Sequence, residues 1–219
     1  MPTQEEILKI IPVISQERFE SYRKHGNTDD QALARVNWNI ALSEAIYPCI
    51  QALEVGFRNR LHQSIATVCG DPNWILNPIF LKQTEVEMVD SAKEDLVDRN
   101  RPVTAGYLIA DLKFGFWTSL ADARYDKMWH KIIKSVFPAM PNAIRTRGEI
   151  SARLQPVRHL RNSIFHHHSI WHWGDLERQY NDIYTLIGWI EPAYALWIKQ
   201  HDRFPAVFAG GYEAYLPAA

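Results

Sequence analysis

Leu42, Ile46, Ile50, Leu53, Phe57, Leu61, Ile65 and Val68 recur at steps of three and four, the apolar stripe of a long amphipathic helix. Asn27-Thr28-Asp29-Asp30 supplies cap-type residues ahead of it, and Gly70-Asp71-Pro72-Asn73 is a firm stop. Pro48 interrupts the pattern and predicts a kink or a break into two helices there. Nowhere in the 219 residues are alternating segments joined by hairpin turns, and no repeat recurs at a fixed period. The sequence therefore predicts an all-α fold.

The later segments extend this reading. Residues 79–98 form a helix bounded by Asn77-Pro78 and Asn100-Arg101-Pro102, and 103–110 is a short apolar piece. Residues 114–120 are aromatic around Gly115, which is read as core packing where a second backbone or ring comes close, and they lead into a helix ending near Val136. From Asn142 the pattern is helical again, with Ile150, Leu154, Val157, Leu160 and Ile164 on one side. A last helix runs over about 175–200, bent at Pro192. Residues 1–203 are read as one domain and 204–219 as a C-terminal extension docked by its aromatics.

Composition narrows the function classes. With 47% hydrophobic and 22% charged residues, intrinsic disorder is excluded. Lys plus Arg number 24 against 25 Asp plus Glu, so the chain does not coat nucleic acid by bulk charge, and any such contact needs a local patch. No run approaches the roughly 18 apolar residues of a transmembrane helix. The opening residues are acidic where a secretory leader is basic. Cys49 and Cys69 form no CxxC. A cytoplasmic protein with reduced thiols and no membrane association is expected.

Five of the nine histidines fall between His159 and His172, and the stretch 160–168 reads Leu-Arg-Asn-Ser-Ile-Phe-His-His-His. On an ideal wheel Arg161 lies inside the stripe of Ile150, Leu154, Val157 and Ile164. A charge there is costly unless it is paired or faces a polar cleft, so a buried Arg–carboxylate pair or a snorkelling residue is the plain structural reading. Asn162 and His166 share a face, whereas Arg161 and His166 are five apart, about 140° around the wheel. They converge only if the helix ends or distorts near His166, or if a second chain contributes. The histidine triplet also suits a solvated helix end, where the macrodipole favours a cation. His168 and His172 are four apart, but no HExxH-type carboxylate stands beside them, and no metal is expected.

Arg plus His is apt for cleaving a phosphodiester. His can move the 2′-hydroxyl or leaving-group proton, and Arg's fork stabilises charge on the phosphoryl oxygens. Arg145, Arg147, Arg153, Arg158 and Arg161 face only Glu149 along that helix, a basic strip in which Arg153 and Arg158 are candidate RNA contacts. Glu54 and Arg58, at i and i+4, read most simply as an exposed helix pair worth ~0.3–0.5 kcal/mol.

Arg161-Asn162-x-x-x-His166-His167 followed by Ile170-Trp171 resembles the signature of the Abi-like (abortive infection) proteins of the HEPN superfamily. Residues 38–45 with 53–59 resemble that family's N-terminal helices, and 114–120 its central aromatic block. The resemblance covers about residues 15–173. It implies a HEPN-like helical bundle with additional helices that acts as a homodimer, its two Arg–His motifs sharing a cleft. It further implies a metal-independent endoribonuclease in phage defence, or a toxin, leaving 2′,3′-cyclic phosphate ends, with RNA and an antitoxin or regulator as partners and no cofactor. The alternative within the fold is a non-catalytic module that binds RNA, nucleotide or a partner. Carried over by position, Arg161 binds and polarises the phosphate, His166 is the general acid/base and Asn162 is the polar residue after the Arg. Glu54, Arg58 and Asn59 would line the same cleft and orient Arg161, and His167 and His168 share the permitted spacing with His166.

Overall fold

Every regular element in the computed structural model, which describes residues 3–23, 27–77 and 79–217, is helical. The order is α1 (Gln4–Ile14), α2 (Gln16–Tyr22), α3 (Asp29–Cys69), α4 (Gln83–Asp98), α5 (Ala105–Asp111), α6 (Phe114–Ser119), α7 (Asp126–Val136), α8 (Arg147–Phe165), α9 (Leu176–Ile190), α10 (Pro192–Lys199) and α11 (Phe204–Gly210). Short 3-10 turns lie at 123–125, 142–144 and 212–215. No described residue is in a strand, so the all-α expectation holds. Pro78, read above as a helix boundary, and the first two and last two residues of the chain lie outside the described residues. No helix among the described residues is long and apolar enough to cross a membrane.

Several boundaries differ from the sequence reading, each for a physical reason. Helix α3 runs unbroken for 41 residues through Pro48. The ~3 kcal/mol that proline costs is offset because Ala45, Ile46, Cys49 and Ile50 on both sides are at most 3% exposed. Helix α4 begins at Gln83 rather than near 79, since Ile79 is 96% exposed and contributes nothing to an apolar face. The last helix does not bend at Pro192. It ends, Glu191 goes extended and its carboxylate accepts from the Ala193 N–H, and Pro192 opens α10 as a first-turn residue without an orphaned N–H.

Contacts divide the chain into two units. The first comprises Met1–Pro48, Ser163–Leu176 and His201–Ala219. Its core gathers Ile7 and Ile11 of α1, Phe19 of α2, and Ala32 and Leu33 of α3. Thr3 and Glu6 cap α1 reciprocally, with N–H to oxygen distances of 2.7 and 3.3 Å, and Thr28 and Gln31 do the same for α3 at 3.1 and 3.3 Å. The C-terminal segment is built into this unit: the Trp38 indole donates to the Val207 carbonyl at 3.0 Å and packs on Phe208.

The second unit comprises Cys49–Asn162 and Glu177–Gln200. Phe137 is its aromatic hub, stacked on Phe57 and Trp129 and edge-on to Trp189 at centroid distances of 5.9 to 6.3 Å. Trp117 and Trp129 are buried, and their indoles donate to the carbonyls of Leu112 and Leu120. The 114–120 block is thus core, but Gly115 is not its point of close approach: nothing outside its own helix lies within 4 Å of where its Cβ would stand. The closest approach at a glycine of this unit is at Gly56, where a Cβ would come within 3.3 Å of the Tyr194 ring.

Candidate active site

Thr146 caps the start of helix α8, its hydroxyl accepting from the Glu149 N–H at 3.1 Å. Ile150, Leu154, Val157 and Leu160 are then fully buried, which places Arg161 at the edge of an apolar face. Its Nε donates to Oε1 of Glu54 at 2.6 Å, and both side chains are only about one-fifth exposed, at 21% and 23%. The Arg–carboxylate pair foreseen from the wheel is present, made with a residue 107 positions away. Glu54 therefore does not pair with Arg58 along α3. Arg58 donates instead to the Ala110 carbonyl at 3.1 Å and to the Asn59 side chain at 3.4 Å. A partly buried guanidinium is costly when left unpaired, and the fold gives each of the two a partner: the Glu54 carboxylate for Arg161 and the Ala110 carbonyl for Arg58. Asn162 is exposed.

These residues belong to the second unit, whereas 163–176 belong to the first. There α8 closes in a Schellman arrangement: His168 N–H donates to the Ser163 carbonyl at 2.8 Å and His167 N–H to that of Ile164 at 3.0 Å. His167 is the left-handed residue that this closure requires, at φ +58, and the Arg18 guanidinium donates to its carbonyl. Helix α8 thus ends at Phe165, immediately before the triplet. All three histidines are exposed. The rings of His166 and His168 lie 6.1 Å apart, on either side of the left-handed residue between them.

The loop after the triplet is fixed by a residue that the sequence reading gave no role. Asn39, 5% exposed on α3, accepts from two successive amides, Ile170 at 2.7 Å and Trp171 at 3.2 Å. Four residues earlier, Arg35 is 4% exposed and donates to the Tyr22 carbonyl at 3.1 Å. With the Asn27 amide turned so that its oxygen faces the guanidinium, Asn27 accepts from it twice, at 2.6 and 2.7 Å. The Arg35 guanidinium also stacks on Tyr212 and Trp171, 4.4 and 5.4 Å from their ring centroids. Burial pushes the neighbouring Tyr22 phenol up, against the pull of the Arg18 charge. A signal was available: residues 35, 39, 42 and 46 keep the helical step, so both polar side chains stand on the buried face.

The basic strip is largely neutralised from other helices. Arg147 pairs with Asp126 at 2.9 Å, and Arg153 with Glu149 at 2.7 Å and with Asp182 of α9, while it stacks on Trp189. Burial opposes the Arg153 charge, but the hydrogen bonds to Asp182 and Glu149 outweigh it and its pKa is raised. Arg145 donates to the Met140 carbonyl. Of the five arginines only Arg158 makes no such contact among the described residues. No group of three His, Cys, Asp or Glu placed to hold a metal occurs among the described residues. Comparison with protein-family models, curated proteins and solved structures found no match.

Proposed function

We propose that the chain is a HEPN-type, metal-independent endoribonuclease with its active site at Arg161, Asn162 and the histidine triplet. The observation that carries the reading is the state of Arg161: a half-buried guanidinium oriented by Glu54, in the last turn of a helix that ends in exposed histidines. Glu54 fixes the fork, and the guanidinium receives a phosphate beside that carboxylate or in its place. A histidine base takes the proton of the ribose 2′-hydroxyl, and O2′ attacks phosphorus. The bond from phosphorus to O5′ breaks, and O5′ takes a proton from a histidine acid, leaving a 2′,3′-cyclic phosphate. The paired rings favour His166 and His168 for these roles over His167, which serves the helix end.

The proposal includes a homodimer in the cytoplasm, acting in phage defence or as a toxin held by an antitoxin. Self-association is supported by Tyr47 and Phe165, whose rings pack 5.8 Å apart while remaining 45% and 41% exposed. Within the non-catalytic reading, one fact favours a module that binds a partner rather than RNA: the neutralisation of Arg147 and Arg153, which leaves little charge along α8.

Incubating wild type and His166→Ala with mixed cellular RNA in EDTA separates the readings. Cleavage by wild type alone, with cyclic-phosphate ends, is the expected result. Equal cleavage by the variant moves the chemistry to another residue. Cleavage lost on chelation overturns the metal-independent mechanism, and inactivity of both, with RNA still bound, leaves the binding module.

A further inference from the structure

The second unit holds a cavity of about 490 Å³ that the proposed ribonuclease site does not use. Buried Ile65 of α3 and partly buried Phe80 and Met128 of α7 line its apolar inner part, and the lysines in its lining, Lys82, Lys127 and Lys131, are exposed. Its size falls in the range of small-molecule sites.

The charges around it are unbalanced. Arg124 is already committed, to the fully buried Glu85 and to Asp122. Tyr125 donates its hydroxyl to the same Glu85 and accepts from the Lys82 N–H at 3.0 Å, which fixes the backbone of the rim. The three lysines make no ion pair among the described residues, although the chain carries 25 carboxylate side chains. Lys127 and Lys131 stand one turn apart on α7, an i, i+4 pair of like charges that costs helix stability. Lys82 immediately precedes α4, so the positive end of a 16-residue helix adds to the same field. An apolar inner part beside three unneutralised ammonium groups is complementary to one kind of small molecule, a hydrocarbon body ending in an anion.

We propose that this cavity binds an acyl-chain anion, its hydrocarbon against Ile65, Phe80 and Met128 and its head group between Lys82, Lys127 and Lys131. The chain supplies its own reporter. Cys69 lines the cavity and is exposed, whereas the only other cysteine, Cys49, is buried. A neutral thiol reagent therefore reads occupancy through Cys69 without being drawn in by the lysines.

The test is the rate of iodoacetamide alkylation of Cys69, followed by intact mass, with decanoate, decanamide or acetate as the probe. Decanoate at about ten times its dissociation constant should slow the reaction roughly tenfold, while decanamide and acetate at the same concentration have little effect. In a Lys127→Glu, Lys131→Glu variant that melts like wild type, decanoate protection should vanish. Equal protection by decanamide would reduce the cavity to an apolar crevice and overturn the anion site. Protection that survives the double substitution, or none in wild type, would overturn it as well. RNA cleavage does not enter the readout, so the proposal stands or falls apart from the ribonuclease.

Discussion

The left-handed closure of α8 makes His167 the most informative single substitution. A non-glycine residue in that conformation costs ~1–2 kcal/mol, histidine at the lower end, and glycine escapes the cost while losing ~0.5–1 kcal/mol through its freer unfolded chain. The His167 side chain is exposed, so no packing is lost with it. Both Schellman hydrogen bonds and the acceptor for Arg18 are backbone groups and survive. His167→Gly should therefore not destabilise, and should gain up to about 0.5 kcal/mol, a rise of up to ~2 °C in Tm for a chain of this size. His167→Val, β-branched at positive φ, should lower Tm by ~2–6 °C. Thermal melts by circular dichroism, run beside RNA cleavage, check both. If His167→Gly melts below wild type, the strain argument is wrong. If it folds well yet cleaves nothing, His167 is catalytic and the assignment to His166 and His168 fails.

Further outcomes follow from contacts already described. Glu54→Gln should cost ~1–2 kcal/mol of stability, and as a positioning residue it should lower kcat more than it raises KM, with Glu54→Asp restoring part of the rate. Asn39→Ala leaves the buried Ile170 amide and the partly buried Trp171 amide without their acceptor and should cost ~1–3 kcal/mol, with hydrogen exchange accelerated at Ile170 and Trp171 before the rest of the first unit. Burial and the Glu85 carboxylate push the Tyr125 phenol up to about 12. Its folded value lies above its unfolded one, so this contribution is whole below pH 10 and is lost as pH rises toward 12. Denaturant melts should show that alkaline loss, shared with Tyr22 and Tyr194, and Tyr125→Phe should reduce it.

What could be read in the sequence was set by periodicity. The helices of α3 and α8 and their buried faces follow from residues three and four apart. Partners distant in the chain did not follow. Periodicity pairs Glu54 with the nearer Arg58, whereas the three-dimensional arrangement sends it to Arg161, the residue that the family resemblance, and not the spacing, set beside it. The strip of arginines is basic when counted along α8 and is neutralised by Asp126 and Asp182 from α7 and α9. Proline gave a local signal whose result depended on packing: a buried stripe carries α3 through Pro48, while Pro192 begins a new helix because Glu191 caps it. The left-handed residue at 167 was illegible because that position usually announces itself with glycine.

If Arg161 binds phosphate as proposed, Glu54 also changes what it means for a substrate to arrive there. The fork is never bare, because a carboxylate of the same chain already sits against it at 2.6 Å. An incoming phosphate must therefore share the guanidinium with that anion or displace it, so binding is a trade of one negative charge for another rather than the filling of a vacancy. The residue that holds Arg161 in place is in this sense its first competitor, and the product, once formed, leaves to a site that can neutralise itself.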